Sequence, residues 1–187
     1  METKTLHIIQ KLAKLGKVLS KIVAICCIVG AAGCLVGIIS LSLGDFEAVK
    51  IGGVTIHSMI EKSAETSIGT VHASMAVGLI LCTAEAVMAK LAQRYFQNEL
   101  AAGTPFTFDG ASQMLRLGIS IICIYIGALI AADISYAIVN HNFLDVADMR
   151  LDDYNQVGTG IAFIVTSLLC KYGAEKEAGN KELKEII

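Results

Sequence analysis

Three ionisable side chains fall inside long apolar runs of this chain: His72, Glu85 and Asp133. A charge in hydrocarbon costs at least a few kcal/mol, so such residues mark proton relays, ion routes or paired structural charges. Asp133 lies 16 residues past Leu117, which is about 24 Å along a helix. His72 is four residues past Ile68, at a similar depth if the two runs are antiparallel. Tyr136 and Asn140 follow Asp133 at i+3 and i+7, forming a polar stripe on one helical face. Asp133 is therefore expected either in a closed, dry seam against His72, or against Tyr136 and Asn140, or beside a water-lined route. Glu85 is 13 positions from His72, about 220° around a helix, and addresses a different seam. An ion pair with Lys21 or Arg116 is expected for it.

Other reactive residue types lack the spacing that chemistry needs. The six cysteines are Cys26, Cys27, Cys34, Cys82, Cys123 and Cys170, all within or at the edge of apolar runs, with no C-x-x-C among them. They read as small packing residues, with a thiol redox or metal role as the alternative. Asp145, Asp148, Asp152 and Asp153 stand against Arg150, but without the glycine turn that a calcium loop requires. This segment reads as a solvated face. No nucleophile–base pair, phosphate loop or metal spacing is present. The expectation is a non-enzymatic protein without catalytic residues, cofactor or metal, and without direct nucleic-acid binding.

The elements that must position these residues are four apolar runs. Ile22–Leu43 and Ile68–Ala89 have 22 residues each, Leu117–Val139 has 23, and 17 uncharged residues lie between Asp153 and Lys171. A hydrocarbon core needs about 20 residues of helix. Hydrophobic residues make up 55% of the 187-residue chain, and its mean hydropathy is +0.65. The fold expected is an all-α membrane protein, one four-helix transmembrane domain over residues 1–187 with spans at about 22–43, 68–89, 117–139 and 154–170. The first run is too long for a signal-peptide core and reads as a retained span.

Basic residues set the orientation. Lys4, Lys11, Lys14, Lys17 and Lys21 precede the first span; Lys90, Arg94 and Arg116 separate the second and third; Lys171, Lys176, Lys181 and Lys184 follow the fourth. That places 12 of 15 basic residues on one side and leaves Lys50, Lys62 and Arg150 on the other. The positive-inside rule then puts both termini and the middle loop in the cytoplasm.

Residues 4–19 read as an amphipathic helix, with Leu6, Ile8, Ile9, Leu12, Leu15 and Leu19 on one side and the lysines on the other. It is expected along the inner membrane surface against anionic lipids, with a cytoplasmic protein partner as the alternative. Gly30, Gly33 and Gly37 lie in the first span, and Gly33-x-x-x-Gly37 is a small-x-x-x-small pattern. Packing within the bundle is the first reading, homo-oligomerisation the second. The loop between the first two spans carries a β-branched, Gly-rich piece, Val49–Ile56, and then a polar helical stretch near Glu61–Thr66.

The middle loop is the richest in signals. The second helix should stop at Gly103, with Pro105 just beyond. Thr107 should cap the next helix, with Asp109 in its first turn. The result is a helical hairpin tipped by Phe106 and Phe108. Gly103-Thr-Pro-Phe-Thr107 and Leu115-Arg116-Leu-Gly118, with Lys171-Tyr-Gly-Ala-Glu175 after the last span, resemble the domain-of-unknown-function 2975 family of small bacterial four-span membrane proteins. The tail after Glu175 departs from that family's glutamine-rich acidic ending. The resemblance implies a bacterial cell-membrane location and, through the family's association with helix-turn-helix regulators, a cytoplasmic regulator as partner. It brings no activity or catalytic residue. The reading is a sensor or accessory subunit acting through hairpin and termini. The alternative is a small oligomeric channel or transporter using Asp133, His72 and Glu85.

Overall fold

The computed structural model describes residues 4–43, 50–51, 54–55, 67–103, 107–143, 146–148 and 155–186. Four long helices account for nearly all of them: α1 (Lys4–Leu43), α2 (Ile68–Ala102), α3 (Phe108–Asn142) and α4 (Asn155–Ile186). All four are long and apolar enough to cross a membrane, the architecture of a multi-pass membrane protein. Two short strands, β1 (Lys50–Ile51) and β2 (Val54–Thr55), pair antiparallel within the β-branched piece, Lys50 opposite Thr55 and Ile51 opposite Val54.

The helices outrun the hydrocarbon they would cross. At 1.5 Å per residue, the 40 residues of α1 extend about 60 Å, against a core about 30 Å thick. The 35 residues of α2 and of α3 extend about 52 Å each. Polar caps fix their ends. Ser67 Oγ accepts from the Thr70 amide at 3.1 Å to open α2, and Thr107 Oγ1 accepts from the Gly110 amide at 2.9 Å to open α3. Inside the helices, hydroxyls of Ser74, Thr83, Thr166 and Ser167 donate to carbonyls three or four residues back. A hydroxyl in hydrocarbon has no water to turn to, so bonding its own backbone removes the cost.

One expectation is corrected here. The amphipathic segment 4–19 and the first span are not two helices: α1 is unbroken from Lys4 to Leu43. No helix-breaking residue stands between Leu19 and Ile22, so nothing ends the first helix. Along its first part Ile8, Leu12, Leu15 and Leu19 are exposed and the small Ala13 is buried.

The chain divides into two compact units. The first comprises Met1–Ala24, Val87–Tyr125 and Asp153–Ile187. Here Gly16 packs under the Phe96 ring, whose Cζ a Cβ would meet at 2.7 Å, and Phe96 meets Tyr95 edge-on at 5.4 Å. Helices α3 and α4 come nearly backbone to backbone, since a Cβ on Gly118 would lie 2.8 Å from the Gly160 carbonyl oxygen. Gln10 Nε2 donates to the Gly103 carbonyl at 3.2 Å.

The second unit comprises Ile25–Ala86 and Ile126–Asp152. Its interior is built from small side chains: Ala73 and Ala132 are wholly buried, with Cys27, Ser40 and Ala128 nearly so. The large residues Ile25, Val29, Val36, Ile130 and Ile134 face outward. In water that distribution would be inside out. In lipid it is expected, because helices there associate by close approach of small residues and not by hiding apolar surface.

Candidate functional site

The ionisable residues of the apolar runs are not drawn into one place. Asp133 is exposed on α3 and makes no hydrogen bond or ion pair with any described residue. This corrects the closed seam expected for it. Tyr136, one turn along, donates its hydroxyl to the Ala147 carbonyl at 3.1 Å, and Asn140 is exposed. His72 stacks its ring on Phe143, with centroids 5.6 Å apart, and its Nδ1 is buried without a hydrogen-bond partner among the described residues. Phe143 reaches it because Gly69 leaves room: a Cβ there would meet the Phe143 Cβ at 2.7 Å. The Ala147 amide donates to Thr70 Oγ1 at 2.9 Å, holding the segment beyond α3 on the start of α2. His72 thus belongs to a packed end of this unit and not to a polar stripe with Asp133.

Glu85 also differs from expectation. Its Oε2 accepts from the Cys27 thiol at 3.5 Å, within its own unit. The bond is one rung of a regular seam between α1 and α2. A Cβ on Gly30 would meet Cys82 Sγ at 3.2 Å, one on Gly78 would meet Cys34 Sγ at 3.2 Å, and one on Gly37 would meet Met75 Sδ at 3.1 Å. Steps of three or four residues up α1 match the same steps down α2. Of the three glycines singled out, Gly30 and Gly37 face this seam, and Gly33 has nothing within 4 Å of an added Cβ. Of the Gly33-x-x-x-Gly37 pair, Gly37 meets the neighbouring helix and Gly33 does not. The six thiols are all free, and sulfur fills the gaps opposite glycine. Among the described residues, no three His, Cys, Asp or Glu side chains gather as metal ligands do.

The facing ends of α2 and α3 are fixed by local backbone contacts. Gly103 has φ +78° and its amide bonds the Glu99 carbonyl at 3.0 Å, the left-handed stop that only glycine takes without strain. Thr107 caps α3 and Asp109 occupies its first turn. Pro105 and Phe106 lie outside the described residues; Phe108 is exposed. Asn98 Nδ2 donates to Gln113 Oε1 at 2.9 Å across the two helices, and Gln113 Nε2 donates to Asp109 Oδ2 at 2.7 Å. Beside them an open cleft of about 330 Å³ is lined by Arg94, Tyr95, Asn98, Asp109, Gln113 and Arg116, among others.

Sequence reasoning passed over Tyr95 and Glu99. Tyr95 is buried and hydrogen-bonded to the half-buried Glu99, on the part of α2 beyond the apolar run. Burial pushes the Glu99 carboxyl above its usual range, and the tyrosine bond offsets part of that rise. Burial, together with the Glu99 charge, also raises the Tyr95 hydroxyl. The available signal was a lone glutamate on the helical face of a buried aromatic, four residues on. No family model, no curated protein and no solved structure matches the chain.

Proposed function

We propose that this protein is a non-enzymatic membrane sensor or accessory subunit that acts through a cytoplasmic hairpin, formed by the α2 and α3 ends, and through its termini. The observation that carries the reading is the asymmetry of the chain. The ends of the four helices that outrun the apolar spans hold 12 of 15 basic residues, and the capped turn at Gly103 and Thr107 lies among them. The motif resemblance to bacterial four-span proteins supports the same reading, with a cytoplasmic regulator as partner.

The orientation is testable by impermeant thiol labelling in intact cells, in a Cys-free background. Single cysteines at Ser58 and Asn142 should react and one at Gln97 should not; the reverse would invert the arrangement. A photo-crosslinker at Gln97 should then capture one soluble protein that a crosslinker at Asn142 does not. Equal capture from both ends would end the hairpin reading.

One observation favours the second reading, an oligomeric channel or transporter. Asp133 is exposed on the flank of α3 with no partner among the described residues, and an unpaired carboxylate facing lipid is unfavourable. A second copy of the chain, or a water-lined route between copies, would relieve it.

A further inference from the structure

The cleft between α2 and α3 carries two guanidiniums that no described carboxylate neutralises. Arg94 and Arg116 both line it, both are exposed, and neither forms an ion pair among the described residues. Their placement follows from the register. The Asn98–Gln113 hydrogen bond sets the two antiparallel helices side by side. Arg94 is four residues before Asn98 and Arg116 three after Gln113, each one turn away in the same direction and on the same face. The two arginines are therefore level with each other. Like charges so placed repel, and an anion between them reverses the sign of that interaction.

The cleft's own acid is kept away from them. Asp109 is seven residues from Arg116 on α3, about 10 Å along the helix. One of its oxygens already accepts from Gln113, whose carbonyl in turn holds the Asn98 amide. The cleft is polarised: carboxylate at the loop end, guanidiniums where the apolar runs begin. Arg116 immediately precedes the run Leu117–Val139, and Arg94 is five residues beyond Ala89. Across a bilayer that level coincides with the lipid phosphates. Basic pockets between spans on one face of a membrane bind anionic headgroups, and 330 Å³ lies at the small end of ligand sites.

We propose that Arg94 and Arg116 form a phosphate-binding site that takes a phosphate mono- or diester, supplied by an anionic lipid headgroup or by a soluble phosphate. Each planar fork offers two parallel donors to phosphate oxygens, which an ammonium does not. The Asn98 amide and the Ser120 hydroxyl, on the same cleft wall, add neutral donors. The site stands independently of whether the hairpin docks a protein.

The test uses the full-length protein in neutral detergent, with phosphatidylglycerol in mixed micelles and inorganic phosphate as probes. Native mass spectrometry should detect a single retained phosphatidylglycerol. Arg94→Gln or Arg116→Gln should each weaken retention about tenfold, whereas Lys171→Gln and Lys176→Gln, with the same loss of charge outside the cleft, should not. Arg116→Lys keeps the charge and the fold, and should fall between. Asp109→Asn should tighten binding, because it removes the carboxylate that lines the cleft. Displacement of the lipid by millimolar inorganic phosphate would assign a soluble phosphate as the source; retention in its presence would assign the lipid headgroup. Equal losses from the arginine and lysine substitutions would reduce the site to diffuse surface charge and overturn the proposal. So would an Asp109→Asn protein that binds no better, or a wild type that binds neither probe.

Discussion

The Cys27 thiol donates to Glu85 across α1 and α2 at 3.5 Å, in register with Gly30 against Cys82, Cys34 against Gly78 and Gly37 against Met75. Each rung sets a sulfur opposite a glycine or a carboxylate. Sulfur is polarizable and adaptable, so it fills the space that glycine leaves without locking a rotamer. The seam needs no large apolar core, which a lipid-solvated helix pair would gain little from.

This seam predicts opposite results at neighbouring glycines. Gly30→Leu inserts a branched side chain where a Cβ alone would already press on Cys82 Sγ at 3.2 Å. Overpacking of this kind costs about 1–3 kcal/mol. Gly33→Ala meets nothing within 4 Å and should be neutral or stabilising by up to about 1 kcal/mol, through helix propensity. Thermal melting of both variants in detergent, followed by circular dichroism, separates the two cases. Equal destabilisation would return the contact to the G-x-x-x-G face.

The turn between α2 and α3 should behave as a local stop with its own energetics. Thr107→Ala removes the 2.9 Å acceptor of the Gly110 amide and should cost about 1 kcal/mol. Gly103→Ala forces a β-carbon into φ +78°, at about 1–2 kcal/mol. Amide exchange should speed up at Gly110 in the first variant and at Gly103 in the second. Unchanged protection in both would mean that the helix ends are held by something other than their caps.

These features were legible because they are local. Gly103, Thr107 and Asp109 act on backbone groups within four residues, so sequence spacing alone identifies them, and the four apolar runs need only hydropathy and length. What stayed hidden depends on register between helices. Gly30 and Gly37 could not be told from Gly33 until α2 supplied Cys82 and Met75 opposite them. Glu85 looked like half of an ion pair because Lys21 and Arg116 lie near the same boundary in sequence, yet its partner is a thiol. The separate interfacial helix expected over residues 4–19 differs for another reason: α1 runs on unbroken to Leu43. Amphipathicity over residues 4–19 reports a change of surroundings along α1, and surroundings alone do not end a helix.

Glu99 gives a pH dependence of definite sign. Burial raises its carboxyl in the folded protein, so folding favours the protonated form. Its contribution is fully present below the unfolded carboxylate range, near pH 4.3, and is lost as pH rises through the folded value. Glu99→Gln keeps the shape and a hydrogen bond to Tyr95 without the charge. It should raise the melting temperature at neutral pH and flatten the fall in stability between acid and neutral conditions. A variant whose melting temperature tracks wild type at every pH would show that Glu99 ionises without cost.

Asp133 separates the two functional readings. It is exposed, unpaired among the described residues, and surrounded along α3 by the exposed Ile130, Ile134 and Ile138. A carboxylate on that flank has two routes to a tolerable state: cover by another chain, or a water-lined path. Asp133→Asn keeps size and hydrogen-bonding capacity and abolishes ionisation, so it distinguishes them. In an accessory subunit the substitution should leave ion flux in reconstituted vesicles at background, as in wild type, and should stabilise the isolated chain by removing the charge. In a channel or transporter, wild type should conduct, and the variant should change the flux or its pH dependence with little change in melting temperature. An oligomer held by Asp133 would instead lose assembly in the variant, seen as a smaller particle by native mass spectrometry. The exposed flank and the unbroken apolar stripe beside it make background flux with a more stable variant the expected result, and measurable conductance in wild type would reverse the order of the two readings.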